Sequence, residues 1–309
     1  MIEVSELCKY YGNHKAIDNI SFHIEKGQIV GLLGLNGAGK STILKILATF
    51  LAPTSGTIKM AKESYLDRIE AVRAMIGYLP DSPPLYKEMK VYDYLTFVAK
   101  LKGVSSSQLK KNLDRAISQT NLQSVTKVTL GHLSHGFCQR VGIAQAIIHD
   151  PKVLILDEPI NGLDPLQIVD MRDLILSLKG HYTVILSSHI LSEITKTCDK
   201  VLIIDKGKLV AEGYEADLQK KSQSQMTLKV GFRGDLARAK ACFSHLEGIT
   251  KTAIEDGQDG YKATLKTNGD LRGQIARALC EASMDLTHLS REDEGLESLF
   301  MKLLAKKGD

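Results

Sequence analysis

Residues 34–42 read GLNGAGKST, a turn of the pattern G-x-x-x-x-G-K-[ST], and they follow the apolar run QIVGLL at residues 28–33. A turn of this composition between a buried strand and a helix restricts the fold to an α/β sheet whose strand end faces an anion. Gly34, Gly37 and Gly39 let the backbone turn tightly enough to aim several N–H groups at one phosphate, with Leu35, Asn36 and Ala38 between them. The apolar segment 43–47 continues as a helix whose N-terminus faces the same point. Lys40 would reach the terminal phosphates, the Ser41 hydroxyl would hold Mg²⁺, and Thr42 follows as a further cofactor-binding candidate. The chain is expected to bind a nucleoside triphosphate.

With 309 residues, 43% of them apolar, the chain has material for one large or two ordinary domains and needs no disulfides to fold. Its five cysteines (Cys8, Cys138, Cys198, Cys242 and Cys280) are odd in number and lack C-x-x-C spacing, so neither a disulfide framework nor a zinc site is indicated. A reducing cytoplasm fits best. No run approaches the ~18 apolar residues of a membrane span, and the start MIEVSELCKYYG lacks the pattern of a signal peptide. The net charge of +4 is dispersed, which favours a solvated mixed-charge surface over a nucleic-acid footprint.

Strand-like segments at 2–7, 17–24 and 57–60 make the first quarter β-rich. From 91 to 145 the apolar residues recur at helical spacing (Tyr94, Phe97, Val98, Leu101; then Leu109, Leu113, Ile117), which predicts a helical insert over about 82–147. That insert is either a docking surface for a partner or simply a packed subdomain. Residues 153–156 and 183–186 read as buried parallel strands around a helix at 166–178, a βαβ unit. The polar tract QKKSQSQ at 219–225 reads as a linker closing a domain at 1–218. Beyond it, strands at 226–230, 249–254, 261–265 and 286–289 alternate with helices at 235–246 and 270–282. The order βαββαβ predicts a ferredoxin-like α+β module at 226–309, ending in an amphipathic helix with Leu296, Leu299, Phe300 and Leu303. This module would sense a ligand, steady a dimer, or serve as a cap.

The run VLILDE places Asp157 and Glu158 at the C-terminal end of a buried parallel strand, where α/β sheets put their ligand sites. Adjacent side chains on a strand point apart. Asp157 can complete a Mg²⁺ shell while Glu158 faces the water that attacks a γ-phosphate. Two further segments bracket this strand: LSHGFCQR at 133–140, and Ser188-His189 after Asn161-Gly162-Leu163-Asp164.

With these motifs in this order, residues 2–213 resemble the ATP-binding cassette (ABC) ATPases, the motor subunits of ABC transporters. The resemblance implies ATP and Mg²⁺ as ligands and an α/β P-loop fold with a β-rich N-terminal subdomain. It matches Tyr11 to the aromatic residue that stacks on adenine, for which packing on the first sheet is the alternative role. Ser134 and Gly136 match the signature loop that closes on ATP held by a second cassette, and Asp164 matches the loop linking the two sites. Glu158 matches the general base and His189 the switch histidine at the γ-phosphate.

Asp81 stands where the family usually has Gln, one methylene shorter and unable to donate a hydrogen bond when ionised. Two like charges ~4 Å apart repel by about 4 kcal/mol at an effective dielectric of ~20, which Mg²⁺ would offset, so Asp81 is a candidate metal ligand. An acid here, with DSPPLY at 81–86 and IIHDP at 147–151, resembles the gliding-motility and multidrug-export cassettes of bacteria. The signature reads LSHGF, which keeps Ser134 and Gly136 and departs at His135 and Phe137, and reduced but real turnover is expected. The resemblance implies the ATPase subunit of an exporter, a homodimer acting on a separate membrane permease from the cytoplasmic face. A soluble mechanochemical ATPase on ribosomes or DNA, and a nucleotide-gated subunit with little hydrolysis, are the alternatives.

Overall fold

The computed structural model describes residues 1–61, 63–65, 67–214, 226–257 and 260–292. Backbone contacts divide the chain into Met1–Glu215 and Ala216–Asp309. The expected boundary at 218, the linker 219–225 and the terminal amphipathic helix lie outside the described residues.

In the first unit, β1 (Ile2–Tyr11), β2 (His14–Ile24), β4 (Ser55–Met60) and β5 (Glu63–Ser64) form an antiparallel sheet in the order β2-β1-β4-β5. A second sheet runs β10-β9-β3-β8-β7-β6. Its strands β3 (Ile29–Leu33), β6 (Ile76–Leu79), β7 (Val153–Leu156), β8 (Thr183–Ser188) and β9 (Lys200–Asp205) are parallel, and β10 (Lys208–Tyr214) returns antiparallel on β9. The helix α1 (Lys40–Leu47) is buried in the apolar layer that both sheets share. Its Ile43, Leu44, Ile46 and Leu47 are fully buried beside Ile2, Ile17 and Ile20 of one sheet and Val30, Leu32 and Ile155 of the other. Each such side chain contributes about 2 kcal/mol of burial.

The predicted helical insert is present as α3 (Val91–Leu101), α4 (Ser106–Gln119) and α5 (His135–Ile147), with α6 (Pro165–Ser177) and α7 (Leu191–Thr197) following in the βαβ part. The short α2 (Ile69–Ala74) leads into β6. Helix α5 lies so close to β6 that a Cβ on Gly77 would strike the Ala146 carbonyl, and only glycine admits the approach. The sequence reading did not find β6, β9 or β10. Strand β6 has four residues, too few to show a period, and β9 and β10 close through the two-residue turn Lys206-Gly207, both at positive φ (46° and 76°).

The second unit runs β11 (Met226–Arg233), α8 (Leu236–His245), β12 (Ile249–Gly257), β13 (Gly260–Thr267), α9 (Arg272–Glu281) and β14 (Asp285–Glu292). The antiparallel order β12-β13-β11-β14 is that of the expected ferredoxin-like module. Leu228, Val230 and Phe232 of the central strand pack under both helices, with Phe232 edge-on to Phe243 at 5.8 Å.

His149, in the IIHDP segment, follows α5 and sits against β6, its Nε2 3.0 Å from the Ile76 carbonyl while Nδ1 is buried without a partner. Burial, and then the charges of Lys102 and Arg115, push its pKa down from 6.5 to about 4 against the Ile76 hydrogen bond and Asp150. The unfolded chain therefore takes up this proton first. Stability from this group is complete above the unfolded value of 6.5 and is lost as pH falls toward 4. Urea midpoints at about pH 7.5 and about pH 5 should drop on acidification, and His149→Gln, which retains a donor to Ile76, should show a visibly smaller drop.

Candidate functional site

The phosphate-loop residues leave β3 and enter α1 through Gly39, which adopts φ 108° as the helix N-cap and offers no side-chain cap. The first N–H groups of α1 therefore point into open space. A Cβ on Gly39 would come within 2.9 Å of Ile17 and 3.0 Å of the Ala16 carbonyl, so the loop is wedged against β2. From the other side Gly207 donates its N–H to the Ala38 carbonyl at 2.9 Å. Gly34 is pinned where its missing side chain would meet the Ile204 carbonyl. These supports fix the loop as an open cradle.

Lys40 is 5% exposed, and its ammonium folds back over the loop, 2.8 Å from the Gly34 carbonyl and 3.4 Å from that of Leu35. It also lies 3.3 Å from Glu158 Oε1. The other carboxylate oxygen, Oε2, is 3.0 Å from His189 Nδ1. Glu158 is thus bracketed by a lysine of the loop and a histidine from the end of β8. Its backbone is left-handed at φ 49°, held by its own N–H donating to Ser187 Oγ at 2.8 Å. A non-glycine residue keeps such a conformation only when its surroundings fix it.

Asp157 is 3% exposed, and its Oδ1 accepts from Ser187 Oγ at 2.7 Å and Ser41 Oγ at 3.3 Å. Burial raises its pKa; the two hydroxyls oppose that shift, and the negative charges of Glu158 and Asp81 add to it. An oxygen-only set of one hydroxyl and one carboxylate, with surplus negative charge around it, has the chemistry of a Mg²⁺ site completed by phosphate oxygens. Among the described residues no three His, Cys, Asp or Glu side chains form a cage for a metal by themselves. Asp81 faces the same space.

A cleft of about 620 Å³ lies over this array. Leu35, Asn36, Gly37, Gly39, Lys40, Ser41 and Thr42 line it, together with Tyr11, Asp81, Glu158 and His189, so the structure brings most of the expected site residues to one place. Gly34, Ala38 and Asp157 support it from beneath. Tyr11 stands at the tip of the β1–β2 hairpin, 49% exposed, as a flat apolar wall on the cleft. Ser134, Gly136 and Asp164 do not line it. Ser134 caps α5 by accepting from Phe137 N at 3.4 Å, and Asp164 caps α6 by accepting from Gln167 N at 2.9 Å. Gly136 is covered by the Gln167 side chain, 2.6 Å from where a Cβ would be.

Sequence reasoning missed Ser187, which joins Asp157 to the Glu158 backbone, and His14, Ala16 and Asn161, which line the cleft. The paired serines before His189 were the available signal for Ser187. Asn161 opens the motif segment 161–164, which marked its place but not its role, and nothing in the pattern marked His14 or Ala16.

Residues 17–161 match the family model described as ABC transporter. Over 307 residues the chain is 34% identical to the bacitracin transport ATP-binding protein BcrA of Bacillus licheniformis, covering 98% of this chain and 97% of that one. The chain belongs to the ABC transporter ATP-binding proteins. An uncharacterised ABC transporter ATP-binding protein of Bacillus subtilis, YxlF, is 40% identical over 227 residues, 74% of each chain. Among solved structures, an ATP-binding subunit of an ABC transporter superposes with a TM-score of 0.64 at 30% identity, over 72% of this chain and 92% of that one. The cassette is accordingly an ABC-type ATPase that binds ATP.

If Tyr11 stacks on the adenine ring, Tyr11→Ala should weaken binding of a fluorescent ATP analogue about fivefold, the worth of one aromatic stack. Its exposure means that the melting temperature of the free protein should stay unchanged; equal affinity for both proteins would return Tyr11 to a structural role.

Proposed function

We propose that this chain is the ATP-hydrolysing subunit of an ABC exporter, working as a pair of cassettes on a membrane permease encoded separately. The observation that carries the reading is the Glu158 carboxylate, bracketed by Lys40 and His189 above the phosphate loop. In this reading the loop N–H groups and Lys40 bind the β- and γ-phosphates, and Ser41 and Asp157 hold the metal, with Asp81 a further candidate ligand. Bound Mg²⁺ would offset phosphate charge. Glu158 accepts the proton of the attacking water, and His189 orients Glu158 while contacting the γ-phosphate. Delivery of ATP releases Glu158 from Lys40, because the lysine has a stronger partner in the phosphates.

A second cassette is part of the reading because Ser134 and Gly136, the signature residues, lie off the cleft of their own chain. They would close on ATP held by the partner, with Asp164 between the two sites. The resemblance of DSPPLY and IIHDP to the multidrug-export cassettes supports export as the direction, and the likeness to a bacitracin transport ATP-binding protein supports a transport role. Among the described residues no helix is long and apolar enough to cross a membrane, so these residues provide no helical span for the cargo. The cassette would sit on the cytoplasmic side, attached through its permease.

An apolar groove of about 670 Å³ between the parallel sheet and the helical insert supports this attachment. Phe50, 72% exposed, and Tyr78 meet as tilted rings at 5.1 Å, and the lining also includes Pro84 and Val98 with the cations Lys45, Arg73 and Lys102. An amphipathic cytoplasmic segment carrying a carboxylate would fit it.

Steady-state hydrolysis by the full chain and by Glu158→Gln tests the catalytic assignment. The variant should bind MgATP and turn over at least ~100-fold more slowly; equal background rates would favour a nucleotide-gated subunit instead. Retrieval of Glu158→Gln with MgATP from detergent-solubilised membranes should recover a multispanning protein, whereas recovery of ribosomes or nucleic acid without one would favour a soluble ATPase. In the same retrieval Phe50→Asp should lose the membrane protein while keeping ATP affinity, since Phe50 lies outside the nucleotide cleft.

A further inference from the structure

We propose that His135 is a positioning residue for hydrolysis: it ties the signature turn to the loop that carries Glu158 in the same chain. The inference rests on the reading of Glu158 as the base. His135 is the first residue of α5, immediately after the Ser134 cap, and its ring projects onto the segment between β7 and α6. Its Nε2 lies 3.1 Å from the Asn161 carbonyl. The partner is a carbonyl, so this nitrogen carries the proton and donates.

Asn161 connects directly to the proposed base. Its N–H closes a turn on the Glu158 carbonyl at 3.1 Å, and the residue itself lines the nucleotide cleft. The next residue, Gly162, is left-handed at φ 73°, and a Cβ there would meet the His135 ring at 3.4 Å. Two further contacts run along the same seam. The Gln167 carboxamide fills the space beside Gly136, and Arg140 of α5 pairs with Asp170 of α6 at 3.1 Å. The signature turn and residues 158–170 are thus fastened at three successive points, and His135 is the one nearest Glu158.

This arrangement gives the departure from glycine at position 135 a function. Glu158 sits at φ 49°, a conformation that its neighbours must impose. Ser187 holds it from the β8 side, and the His135–Asn161 bond holds the far end of its turn. A glycine or alanine at 135 offers no side-chain donor. Engagement of the signature turn by the partner's nucleotide would then bear on the base of this chain through one imidazole, coupling the two sites of a cassette pair.

The test compares wild type, His135→Ala and His135→Gln as full chains, measuring kcat and KM for MgATP, affinity for a fluorescent ATP analogue, and hydrogen exchange of a peptide spanning residues 157–164. His135→Ala should lower kcat about fivefold, the worth of one net hydrogen bond, with affinity unchanged. It should speed exchange in the 157–164 peptide and leave the phosphate-loop peptide unaltered. His135→Gln, which places an N–H at similar reach, should restore both readouts. The proposal is overturned if His135→Ala turns over like wild type, if Gln fails as Ala does, or if the loss follows nucleotide affinity. Should wild type hydrolyse no faster than Glu158→Gln, the reading of Glu158 as base fails separately; the tie is then decided by exchange alone, and unaltered exchange in His135→Ala refutes it.

Discussion

The site depends on the burial of α1 between two sheets. Four of its eight residues, Ile43, Leu44, Ile46 and Leu47, are withdrawn from water into one apolar layer. Because the antiparallel sheet covers one side of that layer and the parallel sheet the other, the helix cannot tilt without opening both. Its N-terminus is thereby held at the end of β3, with uncapped N–H groups facing outward. A phosphate met by such a preorganised terminus requires little rearrangement of the protein.

Electrostatics then sorts the two adjacent acids by their surroundings. Asp157 is buried, accepts from Ser41 and Ser187, and has its pKa raised by burial and by negative neighbours. Removing it from water in an acidic environment favours a cation beside it. Glu158 turns the other way, through a left-handed backbone, and meets Lys40 and His189. One residue step along the chain thus separates the proposed metal ligand from the proposed base. Ser187 is the joint between them, donating to one acid and accepting from the backbone of the other.

The helical insert connects this chemistry to the rest of the molecule through α5. Its N-terminal half is fastened to residues 161–170, and its last turn packs on β6 across Gly77, beside the groove lined by Tyr78 and Ala146. A displacement of α5 would therefore be felt both at the groove and at the loop after Glu158. In the proposed reading, that continuity would relay closure of a nucleotide site to a bound permease.

Much of this was legible in the chain itself. Glycine spacing around Lys40-Ser41 specified a phosphate cradle because few other residues allow that turn, and the run VLIL followed by two acids specified a buried strand ending at a ligand. The βαββαβ order of the second unit was readable because each of its strands and helices is long enough to show its own period. Tertiary structure decided what depends on contacts across the sequence. Strand β6 is defined by pairing with β7, seventy-seven residues further along the chain, and its four residues hold no periodic signal. Ser187 joins the site because β8 lies beside β7, and His135 meets Asn161 because α5 packs along α6, although twenty-six residues of chain separate them. Local patterns report what a segment prefers by itself; which distant side chains share an acid or a carbonyl is set only when the segments pack.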